Sequence, residues 1–274
     1  MCGSISSSLT ETVTEVLKDV GERVIMPRFR ALSDGDVRSK SHPGDLVTIA
    51  DEEAEESLSR TLAGVLPGTT VIGEESVAKN PDLLSALTPD QPVWIIDPID
   101  GTANFVHGTA RFAEIIALVK GGETIGGWIH NPVSGETLAA ERGTGAWIVG
   151  EDGGTPVSVL DMSGRPLSEL SANLHHQDLT LLKGKFERII RMGSAAHAYW
   201  ALSEGLLHVS CTRRLNPWDH AAGLLIHAEA GGYSRLLTGE KYDPCLRTQQ
   251  GILCAPSQSL WQEVADLARP AVQT

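Results

Sequence analysis

The sequence predicts a mixed α/β (α+β) fold, with an antiparallel sheet in the N-terminal half and a smaller α/β C-terminal half. Two amphipathic helices come first, and short strand-like segments then follow at hairpin spacing as far as residue 149. Beyond the Gly-rich segment 151–154, helical and extended segments alternate. The chain of 274 residues has room for one large domain or two ordinary ones. We place the division between residues 1–152 and 153–274.

Two amphipathic helices open the predicted N-terminal half. The first keeps its apolar side chains on one face at helical spacing and is interrupted near Pro27. The second begins at Ala50, carries acidic residues in its first turn, where the helix dipole favours them, and stops at Pro67-Gly68. The polar segment 33–44 between the two helices predicts a mobile loop.

Strand-like segments separated by turn residues follow the helices. The predicted strands of the N-terminal half are 69–72, 92–96, 112–119, 124–130, 136–140 and 145–149. The second of these leads directly into Asp97, and Pro98 is expected to prevent it from continuing. In the C-terminal half, the predicted helices are 194–205, 220–230 and 260–267, and the predicted strands are 206–210 and 251–255.

The composition excludes several classes of function. Lys and Arg number 22 and Asp and Glu number 35, which gives a formal net charge of −13. Binding to nucleic acid or to an anionic membrane needs a basic face, so neither partner is expected. The segment at the start of the chain lacks the pattern of a signal peptide, and no apolar run approaches the roughly 20 residues that span a bilayer. We therefore expect a cytoplasmic protein whose four cysteines, Cys2, Cys211, Cys245 and Cys254, stay reduced.

The sharpest acidic motif is WIIDPIDGT, residues 94–102. Because Pro98 fixes the backbone, Asp97 and Asp100 can converge while the Ile99 carbonyl is left available. Two carboxylates and a carbonyl form the all-oxygen site that hard divalent cations prefer. The amides of Gly101 and Thr102 would open a helical turn, where phosphate is attracted. An ordinary Asp-Gly turn with a capping aspartate is the structural alternative.

Three further acidic segments accompany this motif. Glu74 and Glu75 follow a predicted strand, and two adjacent acids can simply be a solvated loop. Asp51 lies at the start of the second helix, and Asp219 lies just before a helix in the segment PWDHAAG. Each aspartate could serve as a helix N-cap. Taken singly, these acids do not distinguish a functional role from a structural one.

Together, the four segments resemble the inositol monophosphatase family of Mg²⁺-dependent, lithium-sensitive phosphatases. The likeness extends from residues 40–51 to residues 218–223, and the motifs DPIDGT and PWDHAAG carry it. The resemblance implies a layered αβαβα sandwich of the sugar-phosphatase type. It also implies a homodimer that hydrolyses a small phosphate monoester, such as an inositol monophosphate or another sugar or polyol phosphate.

The resemblance also implies which residues bind metal. The implied ligands are Glu74, Asp97, the Ile99 carbonyl, Asp100 and Asp219. Two Mg²⁺ ions would share Asp97, and a third, looser ion would share Glu74. On this view the N-terminal half supplies most of the ligands, and the C-terminal half completes the metal site and the substrate pocket.

Further roles are implied for groups around the metals. Thr102 would orient the attacking water and help to deprotonate it, with its hydroxyl supported by Asp51. Glu75 would act indirectly, through the ligands and without contacting the metal itself. Lys40 matches a lysine of a mobile loop near the metals. The amides of Gly101 and Thr102 are the expected phosphate-binding groups.

The sequence departs from the family on the substrate side. Many inositol-active members have a glutamate seven residues before the last metal aspartate, and Thr212 stands there in this chain. Arg213 and Arg214 follow, and guanidinium groups suit a second anionic group, as in fructose bisphosphate, phosphoadenosine phosphate or histidinol phosphate. Alternatively, both arginines lie in a surface loop and pair with acids. Ser194 and Ala196 lie in a segment that matches the lining of the sugar site.

Two other functions compete with this interpretation. In phosphatases of the haloacid dehalogenase type, a strand ends in two aspartates separated by one residue, whereas two residues separate Asp97 and Asp100. The register therefore argues against that chemistry. A family member with a mainly regulatory role related to RNA or transcription is the second alternative, although the acidic balance predicts no basic groove for it.

Overall fold

The computed structural model describes residues 8–40, 44–88, 91–151, 153–245 and 250–268. Its α-helices are α1 (Ser8–Val20), α2 (Ile49–Val65), α3 (Glu74–Lys79), α4 (Thr102–Val106), α5 (His176–Leu182), α6 (Ala195–Ser203), α7 (Pro217–Glu229) and α8 (Gln258–Ala268). Its strands are β1 (Val37–Ser39), β2 (Leu46–Thr48), β3 (Thr70–Gly73), β4 (Val93–Asp100), β5 (Ala113–Lys120), β6 (Glu123–Asn131), β7 (Glu136–Glu141), β8 (Ala146–Gly150), β9 (Gly153–Val157), β10 (Ser171–Leu174), β11 (Arg188–Ile189), β12 (Val209–Thr212), β13 (Tyr233–Leu236) and β14 (Ile252–Ala255). No helix among the described residues is both long enough and apolar enough to cross a bilayer.

A seven-stranded sheet contains β3 to β9 in the order of the sequence. β3 lies parallel to β4, and every later neighbour in this sheet is antiparallel. The predicted antiparallel sheet is therefore confirmed, with one parallel pair at its edge. The sheet includes β9, which lies beyond the expected boundary at residue 152. The division of the chain into two units stays a prediction.

A five-stranded sheet follows, with the strand order β11-β10-β12-β14-β13. β10 runs parallel to β11 and β12, whereas β14 is antiparallel to both of its neighbours. The predicted strand 206–210 begins later, at Val209, because the amides of Leu206 and Leu207 donate to the Ala201 carbonyl and close α6.

Three apolar cores hold these elements in five layers. α1 and α2 cover one face of the seven-stranded sheet, and α6 and α7 pack between the two sheets. α5 and α8 cover the outer face of the five-stranded sheet. Alternate residues of β4 enter different cores, Trp94 on the α1 and α2 side and Ile95 on the α6 and α7 side. The structure thus confirms the layered αβαβα sandwich.

The segment between α1 and α2 is more ordered than the sequence predicts. β1 pairs with β2 in an antiparallel hairpin, with Arg38 opposite Val47. Residues 41–43 of the predicted loop lie outside the described residues. Lys40 directly follows β1, so the hairpin sets the position of this residue.

The cysteines among the described residues are free. Cys211 and Cys254 are buried, and Cys245 is partly buried. The remaining predicted free thiol, Cys2, lies outside the described residues.

An acidic residue lies in the core beneath α1. Glu114 of β5 is 0% exposed, and neither of its carboxylate oxygens has a hydrogen-bond partner among the described residues. It lies opposite His130 of β6, and its Oε2 would be 3.0 Å from a Cβ added at Gly21. Burial raises the pKa of Glu114 well above its ordinary value, so the native fold favours the neutral acid.

Replacing Glu114 with glutamine is expected to stabilise the protein increasingly as the pH rises. The unfolded chain ionises Glu114 above its ordinary pKa of about 4.5, and the native core resists that ionisation. The parent therefore loses stability relative to Glu114→Gln by up to about 1.4 kcal/mol per pH unit above that value. Urea unfolding at pH 5, 6.5 and 8 measures the difference. A constant difference between Glu114→Gln and the parent across these pH values would contradict the prediction.

Candidate active site

The acidic motif lies at the end of the fully buried strand β4. The sequence predicts that this strand stops at Asp97, and the structure corrects this: β4 continues to Asp100. Asp97 is opposite Ile115 and Asp100 is opposite Ala113, so β4 accommodates one extra residue in a bulge. A bulge is a position where a strand tolerates proline. It turns the backbone so that the Ile99 amide donates to Asp97 Oδ1 at 3.1 Å.

Three carboxylates converge at this bulge. Glu74, Asp97 and Asp219 each place one oxygen so that the three atoms lie within 4.8 Å of one another. Glu74 is the first residue of α3, and Asp219 lies in the first turn of α7. Asn216 occupies the N-cap of α7 and donates to Asp219 Oδ2 at 3.0 Å, so the capping alternative for Asp219 is wrong.

The electrostatics of this cluster favour a bound cation. Burial, followed by repulsion from Glu74 and Asp100, raises the pKa of Asp97 well above its ordinary value. Burial and the same two neighbours raise the pKa of Asp219 as well. A divalent ion would relieve this repulsion, and carboxylate oxygens are the donors that hard cations prefer. The residues present therefore fit a hard divalent cation.

Asp100 is turned toward the C-terminal half. Its Oδ2 accepts from the Ser194 hydroxyl and from the Ala196 amide at 2.7 Å, and its Oδ1 accepts from the Ala195 amide at 3.2 Å. Asp100 thus anchors the start of α6 and lies beside the three-acid cluster. Its role as a metal ligand stays a prediction. Ala196 is fully buried and its amide already serves Asp100, which differs from the substrate contact expected of this residue.

Thr102 and Asp51 form a hydrogen-bonded pair beside the cluster. The Thr102 hydroxyl lies 3.1 Å from Asp51 Oδ1 and 3.0 Å from the Ile99 carbonyl. The other oxygen of Asp51 accepts from the Thr48 amide and hydroxyl at 2.8 and 2.6 Å. Asp51 therefore closes a capping box at the start of α2 and holds Thr102 as well. Burial raises the pKa of Asp51 to about 6, and its hydrogen bonds oppose that rise.

The turn before Thr102 requires glycine at position 101 and is held by hydrogen bonds from the Asn104 side chain. Gly101 has φ +90°, and a Cβ there would be 2.9 Å from the Arg111 carbonyl. Asn104 Nδ2 donates to the same carbonyl at 2.7 Å and to the Gly193 carbonyl at 3.1 Å. The sequence analysis missed Asn104, because its second partner lies 89 residues away.

Lys40 lies against the cluster from the β1–β2 hairpin. Its Nζ is 2.6 Å from Glu74 Oε1 and 2.9 Å from Glu75 Oε1. Burial lowers the pKa of Lys40, but these two carboxylates outweigh burial and raise it above its ordinary value. Burial and repulsion from Glu74 raise the pKa of Glu75 to about 8, against the opposing effect of Lys40. Lys40 therefore supplies a positive charge beside the acids.

A cavity of about 530 Å³ opens above the cluster, between the two halves of the chain. The predicted site residues that line it are Glu74, Asp97, Ile99, Asp100, Gly101, Thr102, Ser194, Thr212, Arg214 and Asp219. Asn173, His175 and Arg191 of the C-terminal half also line the cavity, and the sequence analysis did not select them. The cavity is therefore lined both by the acids and by two arginines, Arg191 and Arg214.

Comparisons with known proteins agree with this architecture. The sequence profile described as the inositol monophosphatase family matches residues 6–273. The chain belongs to the inositol monophosphatase family. The predicted class, a phosphoric monoester hydrolase, is confirmed. The family is metal-dependent, and the three-acid cluster is a place where a metal ion could bind.

Relatives cover most of the chain. The fructose-1,6-bisphosphatase/inositol-1-monophosphatase of Thermotoga maritima is 33% identical over 239 residues, which is 83% of this chain and 84% of that protein. The inositol-1-monophosphatase of Bacillus subtilis is 30% identical over 243 residues, 86% of this chain and 88% of its own. The solved structure of a Thermotoga maritima IMPase has a TM-score of 0.82 and 28% identity, covering 97% of this chain and 99% of that one.

The Arg213 side chain does not line the cavity, although the sequence analysis suggests that it could bind a second anionic group of the substrate. Its Nε donates to Asp178 Oδ2 at 3.3 Å, and a second guanidinium nitrogen donates to Oδ1 of the same residue. Asp178 is 0% exposed, and a buried carboxylate is strongly destabilising without a partner. The guanidinium therefore faces the interior and not the cavity. The alternative that the arginines pair with acids holds for Arg213, whereas Arg214 lines the cavity.

The backbone of Arg214 is held by buried groups. His220 Nε2 donates to the Arg214 carbonyl at 2.7 Å, and Tyr199 Oη donates to His220 Nδ1 at 2.9 Å. Burial lowers the pKa of His220 to about 4, so the ring is neutral and each nitrogen has a single role. The Thr212 hydroxyl lies 3.5 Å from the same carbonyl. Tyr199 and His220 were missed because the sequence shows them only as a helical tyrosine and a histidine without metal spacing.

Removing Arg213 is expected to destabilise the protein. The Arg213→Ala variant leaves Asp178 buried without its cation, which should lower the free energy of unfolding by about 3–5 kcal/mol. Arg214→Ala is the matched control, because its exposed side chain should change stability by no more than about 0.5 kcal/mol. Chemical denaturation of both variants measures the difference. Equal and small losses would show that the Arg213–Asp178 pair does not support the fold.

Proposed function

We propose that this chain is a Mg²⁺-dependent phosphatase that hydrolyses a small phosphate monoester, an inositol monophosphate or another sugar or polyol phosphate. The observation that carries the proposal is the convergence of Glu74, Asp97 and Asp219 within 4.8 Å on the wall of a cavity that Thr102 also lines. Lithium sensitivity, a homodimer and a cytoplasmic location also stay predictions from the sequence.

The residues that would hold Mg²⁺ come from both halves of the chain. Glu74, Asp97 and Asp219 would be the principal ligands, joined by the Ile99 carbonyl and Asp100, and two to three ions are proposed. Bound Mg²⁺ would supply an acidified water and neutralise charge on the phosphoryl oxygens. The Lys40 ammonium, at 2.6 Å from Glu74, would balance the acids from the side away from the substrate. Glu75 would keep Lys40 there through its own contact at 2.9 Å.

Thr102 and Asp51 would handle the proton of the attacking water. A threonine hydroxyl is too weak a base to act alone. When it donates to Asp51, at 3.1 Å, its lone pairs can accept a hydrogen bond from water. The water proton could then pass to Thr102 Oγ1 while the threonine proton passes to the Asp51 carboxylate. The amides of Gly101 and Thr102, at the start of α4, are proposed to bind the phosphate oxygens.

Removal of metal or of one ligand is expected to abolish turnover. Exhaustive chelation should stop phosphate release while the far-UV circular dichroism stays unchanged, because the three apolar cores contain no cluster residue. Asp97→Asn and Asp219→Asn each remove ligand charge, and a loss of several kcal/mol of transition-state stabilisation means at least about a hundredfold slower turnover. A phosphate-release assay with and without added Mg²⁺ measures both effects. Activity that survives chelation would contradict the mechanism.

A substrate with a second anionic group is the second candidate. Arg191 and Arg214 line the same cavity as the acids, where they could contact such a group. Of the substrates named from the sequence, fructose bisphosphate and phosphoadenosine phosphate each carry two phosphate groups, whereas histidinol phosphate has a cationic amine and no second anion. The Thermotoga maritima relative carries the names of both a bisphosphatase and a monophosphatase.

Arg214→Ala distinguishes the two candidates. If Arg214 binds a second phosphate, its loss should lower kcat/KM for fructose 1,6-bisphosphate at least about tenfold, since hydrogen bonds to charged groups contribute 1.5–3 kcal/mol. The value for glycerol phosphate should change much less. Steady-state kinetics on both substrates measure this selectivity. Arg188→Ala is the control, because Arg188 is exposed on β11 and does not line the cavity. Equal losses on both substrates would favour the simple monoester.

A further inference from the structure

Glu55 is a buried acid that the predicted site does not include. It lies on α2, is 4% exposed, and directs its carboxylate at the start of α3. Its Oε2 accepts from the Glu75 amide at 2.7 Å, and its Oε1 accepts from the Ser76 amide at 2.8 Å and from the Ser76 hydroxyl. Hydrogen bonds from amides to an ionised acceptor are stronger than neutral ones. A single side chain thus fixes two successive amides that directly follow Glu74.

The residue on the other side of Glu74 also touches Glu55. A Cβ added at Gly73 would lie 2.1 Å from the Glu55 carboxyl carbon and 2.2 Å from its Oε2. Gly73 ends β3, and Glu74 begins α3. The backbone on both sides of Glu74, the candidate metal ligand, therefore lies close to the Glu55 carboxylate. Glycine at position 73 is what allows this approach.

Helix α2 presents two acids one turn apart toward the site. Asp51 accepts from Thr102, and Glu55, four residues later, accepts from the start of α3. Residues four apart lie on the same face of a helix. The same helix face therefore sets the position of the proposed proton-handling pair and of the segment that carries Glu74 and Glu75.

We propose that Glu55 is a positioning residue that holds Glu74 in place for metal binding, an inference that rests on the proposed metal-dependent function. Glu55 is outside the three-acid cluster and does not line the cavity, so it is not among the proposed ligands. It fixes the β3–α3 junction so that the Glu74 carboxylate meets those of Asp97 and Asp219. The same contact places Glu75 where it meets Lys40. Groups that orient metal ligands commonly change metal affinity 10- to 100-fold when they are lost.

The test is Mg²⁺ binding by the full-length Glu55→Gln variant. Glutamine keeps the size of the side chain but offers one acceptor oxygen in place of two, so one buried amide loses its partner. Glu229→Gln is the matched control, because Glu229 accepts from the Gly143 and Gly145 amides at 2.8 and 2.9 Å, outside the cavity. Isothermal titration calorimetry with Mg²⁺ alone gives the dissociation constant, and thermal unfolding gives the stability of each variant.

Glu55→Gln is expected to raise the Mg²⁺ dissociation constant about 10- to 100-fold, while Glu229→Gln leaves it within about twofold. Turnover of Glu55→Gln should recover as the Mg²⁺ concentration is raised, which a general loss of stability would not produce. An unchanged dissociation constant, or an equal rise in both variants, would overturn the proposal for Glu55. A parent protein that binds no Mg²⁺ would overturn the metal-dependent function and this inference with it.

Ser76→Ala keeps the proposal testable if Glu55→Gln does not fold. It removes one of the three donors to Glu55 and leaves both amides in place. A smaller rise in the Mg²⁺ dissociation constant, beyond the change seen in Glu229→Gln, is expected. With Glu55→Gln unfolded, a parental value for Ser76→Ala would overturn the proposal.

Discussion

Mutual repulsion among buried carboxylates is the constraint on which the active site depends. Glu74, Asp97 and Asp219 bring three acidic oxygens within 4.8 Å of one another, where burial already disfavours charge. Such an arrangement persists only when the surrounding fold holds each acid rigidly and supplies compensating charge. Many of the residues around the cavity either hold one of these acids in position or supply compensating charge.

The starts of helices provide much of this compensation. Asp51, Glu74 and Asp219 each lie in the first turn of a helix, where unpaired amides and the helix dipole favour a negative charge. The β4 bulge adds Asp97, whose carboxylate accepts from the Ile99 amide. Lys40 contributes the nearest cationic side chain in the part of the chain that the structure describes around Glu74. Backbone groups and side chains therefore both stabilise the acids: Asp97 accepts from an amide, whereas Glu74 and Asp219 accept from the side chains of Lys40 and Asn216.

Two polar residues, Asp100 and Asn104, connect the two halves of the chain. Asp100 begins in the N-terminal sheet and accepts from the first residues of α6 and the serine before them, while Asn104 donates to the Gly193 carbonyl. The cavity that results is lined by residues of both halves, among them the acids of the cluster, Arg191 and Arg214.

The sequence by itself determined the fold class, the family and the acids that meet in the cluster, because those signals are local. Strand periodicity, helix starts and the motifs DPIDGT and PWDHAAG can each be recognised in a window of about ten residues. Only the tertiary structure decided that β4 continues through Pro98, that Arg213 turns inward to Asp178, and that Glu55, Asn104 and His220 contact segments that line the site or flank its residues. Each of these depends on strand register or on a partner met through folding, such as Asp178, 35 residues from Arg213. A hydrogen bond between distant residues leaves no spacing in the sequence, so packing alone reveals which polar side chains are structural and which face the substrate.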